Sequence, residues 1–162
     1  MEYLEESGMQ FYLDEECWVP EKTNCFEKWQ HVKACDLVKK HSSKLCFIEA
    51  KSSAPKDDKL QAYCQDIVLK FENTLLFFLA LYVDRLKEEQ EPLPTSLKNN
   101  ELIKKGVHIL VLIIKKHPKH SLIDLSYYFD KNKIIIRLKR ILKINQVVCL
   151  NEETAKKKGF VI

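Results

Sequence analysis

Glu49 and Lys51 close an otherwise apolar run, Leu45-Cys-Phe-Ile-Glu-Ala-Lys51. Four consecutive apolar residues read as a strand covered on both faces, a setting in which a carboxylate and an ammonium call for a reason. Side chains two apart on a strand project from the same face, so Glu49 and Lys51 stand side by side at its end. Upstream, Val32-Lys-Ala-Cys-Asp-Leu-Val38 reads as a second short strand, with His41-Ser-Ser-Lys44 as the polar turn between them. If Ser42-Ser43 is the two-residue loop of an antiparallel hairpin, Asp36 lies directly opposite Glu49. Opposed Cβ atoms are roughly 5 Å apart, and like charges there repel. Lys51 relieves part of that repulsion, and a hard divalent cation such as Mg²⁺ or Mn²⁺ relieves more of it. A one-residue shift of the turn would carry Asp36 to the other face. Two readings of the cluster therefore stand, a structural ion pair and a metal site.

The tripeptide alone carries little. With 23 acidic residues and a lysine-rich composition, chance gives about three acidic-x-Lys matches in a chain of this length. The second match here, Asp57-Asp58-Lys59, lies in a polar loop. The context distinguishes the first: an apolar strand, a hairpin, and an acid at the facing position. Asp36 followed after twelve residues by Glu49-Ala-Lys51 resembles the signature of the PD-(D/E)xK nuclease superfamily, the restriction-endonuclease-like fold. The wording Phe47-Ile-Glu-Ala-Lys-Ser-Ser53 is also similar to small bacterial proteins of that superfamily. The likeness covers about residues 32–53, and the order of elements after it fits.

That resemblance implies a mixed β-sheet core flanked by α-helices, with Asp36, Glu49 and the Ala50 carbonyl as metal ligands and Lys51 positioning or activating a water. Cys35 stands where the family name has proline. Many members carry a further acid on a preceding helix, for which Glu21 is the best candidate here and Glu5 and Glu6 are weaker ones. Carboxylate-held Mg²⁺ lowers the pKa of its bound water and acts as a Lewis acid at phosphate, and an adjacent ammonium neutralises transition-state charge. Neither cysteine nor serine is required as a nucleophile.

Composition sets outer bounds. The 162 residues suffice for one domain with a proper core, and 46% hydrophobic with 31% charged residues is ordinary for a globular protein. A net charge of +4 is only mildly basic. Lys39, Lys40 and Lys44 flank the hairpin and could contact nucleic-acid phosphates; Lys115, Lys116 and Lys119, and the group Arg137, Lys139, Arg140 and Lys143, form further clusters. Each cluster taken singly is more often a solvated face. Six cysteines lack any CxxC spacing, and no signal peptide is apparent, which points to reduced thiols in a cytoplasmic protein. Cys17 and Cys25 with His31 are too loosely spaced to outweigh that reading.

Elements must position these groups. Met9–Leu13 has strand character, and Trp18 and Trp29 are expected to close one end of the core. Asp57 or Asp58 is placed to cap a long helix whose apolar periodicity runs to near Glu89. Its apolar run Leu75–Val83 spans nine residues, against about twenty needed to cross a bilayer. Gln65, Asp66 and Lys70 near its start are candidates to face the site, although a surface position is equally open. A polar loop follows to Lys105, then a central strand from Gly106 to Ile114, in which His108 reads as a hydrogen-bonded structural residue rather than a base. Residues 121–143 read as a helix interrupted near Asp130-Lys-Asn132, with Lys133–Leu138 as an alternative strand. Gln146–Leu150 is a last strand, before a short helix capped by Asn151 and stopped at Gly159.

The expectation is an α/β restriction-endonuclease-like domain that hydrolyses nucleic acid, DNA before RNA, with Mg²⁺ or Mn²⁺. Analogy adds gating by a protein partner or a homodimer, a role in defence, and no membrane. The alternative is a catalytically silent nuclease-fold module serving as a binding or scaffolding subunit.

Overall fold

The computed structural model describes residues 2–23, 26, 31–86 and 93–162. Seven strands and five α-helices follow one another among them. Strands β1 (Glu2–Glu6) and β2 (Met9–Leu13) form an antiparallel hairpin through Ser7-Gly8. The main sheet has the order β3 (Cys17–Trp18), β4 (Leu37–His41), β5 (Lys44–Lys51), β6 (Val107–Ile114), β7 (Gln146–Asn151). Pairing is antiparallel from β3 to β5 and parallel from β5 to β7. The chain is thus a mixed α/β structure built on a five-stranded mixed sheet.

Strand alternation sorts the core into two layers. Leu45 and Phe47 of β5 and Leu110, Leu112 and Ile114 of β6 face the long helix α1 (Leu60–Tyr82), with α3 (Leu122–Lys131) and α4 (Lys133–Ile141) beside it. Cys46, Ile48 and Ala50 face the β1–β2 hairpin and the segment of α5 (Glu152–Lys157). Because both faces are covered, β6 reads as an almost unbroken apolar run. Glu49 and Lys51, of the same parity as Phe47, fall on the α1 side.

The hairpin turn is as expected: Ser42-Ser43 joins β4 to β5, Ser42 takes φ +57, and Leu37 pairs with Ile48. Strand β4, however, begins at Leu37, not Val32. Lys33 and Cys35 are bound to α1 instead of β5, through Cys35 N–H to Thr74 Oγ1 (2.8 Å) and Asn73 Nδ2 to the Lys33 carbonyl (2.9 Å). Neither Asp57 nor Asp58 caps α1. A 3-10 turn, Asp57–Lys59, precedes it, and Lys59 occupies the cap without a side-chain bond.

Helix α1 also ends earlier than the periodicity predicts. Asp84 takes φ +55, and Arg85 N–H reaches the Ala80 carbonyl at 2.8 Å while Asp84 N–H reaches Leu81 at 3.1 Å. This is a left-handed stop of the Schellman kind, and it overrides the apolar residue at 86. Residues 87–89 and Trp29 lie outside the described residues. The expected polar loop to Lys105 contains helix α2 (Asn100–Lys105), capped by Asn99 Oδ1 accepting from Glu101 N at 2.8 Å.

The break in residues 121–143 falls at Asn132, which caps α4 by accepting from Ile134 N at 2.9 Å. The segment Lys133–Leu138 is therefore helical. Asn151 caps α5 through Thr154 N at 2.9 Å, and Gly159 takes φ +74. Trp18 packs on Phe77 with ring centroids 5.2 Å apart. Phe77 and Phe78 are both core. Cys17, Cys35, Cys46, Cys64 and Cys149 are free thiols; Cys25 is outside the described residues. Among the described residues no helix is long and apolar enough to cross a membrane.

Candidate active site

Glu49 is fully buried, at 0% exposure. Its Oε1 accepts from two ammoniums at once, Lys51 Nζ at 2.7 Å and Lys70 Nζ at 2.7 Å. Its Oε2 is buried with no hydrogen-bond partner. An unpartnered buried carboxylate oxygen costs free energy that a structure seldom tolerates without a use.

Asp36 precedes β4 by one residue, and continuing the β4–β5 register sets it opposite Glu49. Its Oδ2 accepts from the Ala50 backbone N–H at 2.7 Å. Burial, and next the charge of Glu49, push the Asp36 carboxyl up to about 7, against the Ala50 hydrogen bond and the charge of Lys70. The Ala50 carbonyl accepts from Ser7 Oγ at 3.0 Å, so the β1–β2 turn closes on the end of β5. Ser7 itself has φ +53.

Lys70 is the one member of Gln65, Asp66 and Lys70 that meets the site. Gln65 Oε1 takes a hydrogen bond from Asn132 Nδ2 at 3.4 Å, and Asp66 pairs with Lys33 at 2.5 Å. Burial alone would lower the Lys70 pKa, but the charge and hydrogen bond of Glu49 raise it overall. Seven residues earlier on α1, the Tyr63 hydroxyl is also buried without a partner. Its pKa is raised by burial, then by Cys64 and by Glu49.

The additional acids are arranged less tightly. Glu6 is raised by burial, then by the charges of Glu21 and Glu49, with Lys70 and Lys51 opposing. Glu6 thus feels the site from the hairpin side. Glu21 is exposed on the 3-10 turn Pro20–Lys22, and Glu5 is exposed on β1. Among the described residues, no three His, Cys, Asp or Glu side chains converge as a metal-holding group. The oxygens at this end of β5 with the chemistry to hold a hard divalent ion are Glu49 Oε2, the Asp36 carboxylate and the Ala50 carbonyl, the last two already accepting from Ala50 N–H and Ser7 Oγ. The orphaned Glu49 oxygen, and an Asp36 carboxyl pushed up by burial first and by the charge of Glu49 next, are the two features such an ion would relieve.

The hairpin lysines lie away from this cluster. Lys39 pairs with Asp14 at 3.3 Å and Lys40 with Glu16 at 2.5 Å. Lys44 is exposed at the opposite end of β5, seven residues from Lys51 and so roughly 23 Å away along the strand. Lys115 and Lys116 are nearer: their backbone N–H groups donate to the carbonyls of Lys51 (2.8 Å) and Ser52 (3.2 Å). Lys119 pairs with Glu153, Lys139 with Asp130 and Arg137 with Glu72. His108 bonds through Nε2 to the Leu102 carbonyl at 3.1 Å, at the other end of β6.

Sequence reasoning did not reach Ser7, because β1 carries no strong strand pattern, or Thr74, whose role rests on a contact between distant segments. Comparison with family models, with curated proteins and with solved structures found no match.

Proposed function

We propose that the chain hydrolyses phosphodiester bonds in nucleic acid, DNA before RNA, using one Mg²⁺ or Mn²⁺ ion held by Asp36, Glu49 and the Ala50 carbonyl. The observation that carries this reading is the unpartnered, fully buried Oε2 of Glu49 on the face it shares with Asp36, beside two ammoniums. A bound divalent ion would supply Lewis acidity at the phosphate and a water of lowered pKa. The residues do the rest. Asp36 and Glu49 fix the ligand geometry through the Ala50 N–H and the two lysines. Lys51, partly exposed, stands where it can neutralise charge developing on the phosphate oxygens. Water oxygen bonds to phosphorus as one ester P–O bond breaks; the attacking water gives its proton to solvent, and the leaving alkoxide takes one from a solvent water to depart as an alcohol. Of the two lysines that follow β6 at the same end of the sheet, Lys115 donates its Nζ to the Gly8 carbonyl, which leaves Lys116 as the cation to receive the adjacent phosphate.

The silent-module reading has an observation of its own. Lys51 and Lys70 already compensate Glu49, and no three-residue ligand group is found among the described residues. The deciding experiment is turnover: cleavage of supercoiled plasmid and single-stranded DNA with Mg²⁺, Mn²⁺ or EDTA, for the wild type and Asp36→Asn. That substitution retains an acceptor for Ala50 N–H while removing the ligand charge. Metal-dependent cleavage lost in Asp36→Asn is the expected result. Absence of cleavage with every metal and substrate would favour the silent module.

A further inference from the structure

We infer that Lys70 is an internal cation competing with the divalent ion for Glu49, and that it thereby sets the metal affinity of the site. The inference rests on the metal reading above. Lys51 belongs to the strand and would meet Glu49 in any arrangement that keeps β5 extended. Lys70 comes from a different element, across the α1–sheet interface, and its side chain is only 13% exposed. It is aimed at the carboxylate and away from solvent.

Both ammoniums sit on Oε1 at 2.7 Å, leaving Oε2 without any partner. With Asp36 ionised, two carboxylates face two ammoniums, and the cluster is neutral before any metal arrives. A divalent ion on Oε2 must then approach two fixed positive charges in a poorly solvated setting, where Coulomb repulsion is screened far less than in water. Loss of one ammonium weakens that repulsion and leaves a more negative site. Lys70 therefore keeps the fold independent of metal, at the cost of metal affinity. The loaded site then carries two net positive charges, which offset the two negative charges of a phosphodiester and an attacking hydroxide together.

The test is Mn²⁺ binding at pH 8, read from the electron paramagnetic resonance of the free ion, for the wild type, Lys70→Gln and Lys70→Arg. Melting temperatures in EDTA and in Mn²⁺ accompany it. Lys70→Gln retains a donor to Glu49 and removes only the charge. It should bind Mn²⁺ about tenfold tighter than the wild type or more, and should gain more in melting temperature from the ion. Lys70→Arg keeps the charge and should stay within about twofold of the wild type. Equal or weaker Mn²⁺ binding by Lys70→Gln, with clear binding by the wild type, overturns the role of Lys70 and leaves the metal reading intact. No binding by the wild type or either variant overturns both. Should Lys70→Gln be unfolded in EDTA, refolding in Mn²⁺ supports competition, and failure to refold there overturns it.

Discussion

Asp36 Oδ2 accepts a 2.7 Å hydrogen bond from the backbone N–H of Ala50, the residue between Glu49 and Lys51. A side chain here takes the place that a further backbone bond of the β4–β5 ladder would have filled. The consequence is positional. Asp36 cannot leave Glu49 without breaking a bond to β5 itself, so two carboxylates that repel are held on one face by the sheet.

That enforced proximity has a pH signature. The folded-state pKa of Asp36 is raised, from an ordinary 3.8 to about 7, by burial and then by Glu49. A carboxyl raised on folding favours the folded state fully below its unfolded pKa and loses that contribution as pH rises through the folded value. In EDTA, wild-type stability should therefore fall between about pH 4 and pH 7 through this residue. The slope is up to about 1.4 kcal/mol per pH unit. Asp36→Asn, which does not titrate, should lack this fall and should be the more stable protein at pH 8. Urea denaturation at pH 4.5 and pH 8 checks it; identical pH dependence in both proteins would remove Asp36 as the cause.

Thr74 anchors the residue before the same carboxyl. Its hydroxyl, fully buried, accepts from Cys35 N–H at 2.8 Å and donates to the Lys70 carbonyl at 2.7 Å. Thr74→Val preserves shape but leaves a buried backbone N–H without an acceptor, which costs roughly 1–3 kcal/mol. Because that N–H belongs to the residue before Asp36, faster amide exchange at Cys35 and Ala50 should accompany the loss. A stability loss with unchanged exchange at Ala50 would confine Thr74 to packing.

What was legible beforehand follows a physical division. The apolar run of β5, the parity that puts Glu49 beside Lys51 and the two-residue turn at Ser42-Ser43 are local properties, and local patterns are readable. The partners of Glu49 from α1 were less so, since Lys70 has the same spacing from neighbouring apolar residues as a surface lysine would. Residues 32–35 looked like strand because Val32, Ala34 and Leu37 suit one. Thr74, 39 residues further along the chain on α1, draws Cys35 off the ladder, and Asn73 beside it holds Lys33. The end of α1 depended on Asp84 adopting a left-handed conformation, which an aspartate permits but does not announce.

Gly106 supplies a test of the fold that leaves the site untouched. It links α2 to β6, and a Cβ built on it would fall 2.1 Å from the Leu102 carbonyl oxygen, which its own N–H meets at 3.0 Å. The obstruction is backbone, so no rotamer relieves it. Gly106→Ala should destabilise by roughly 2–4 kcal/mol, well beyond the usual surface substitution. Thermal or urea unfolding is the measurement, and a change below 0.5 kcal/mol would mean that α2 shifts freely against β6.

The buried triad of Glu49, Lys51 and Lys70 makes a last prediction that does not depend on catalysis. Removing Glu49 alone, as in Glu49→Leu, strands two ammoniums near the core, one of them on a side chain 13% exposed. Breaking such a pair from one side costs about 3–5 kcal/mol when burial is complete, and somewhat less here because Lys51 can reach water. Removing Lys70 at the same time takes away the stranded charge. Glu49→Leu/Lys70→Met should therefore be more stable than Glu49→Leu, giving a double-mutant coupling on the order of 1–3 kcal/mol. Additive losses in urea would show that the 2.7 Å contact between Lys70 and Glu49 contributes nothing to the fold. In that case the neutral, metal-independent site argued from it could not stand either.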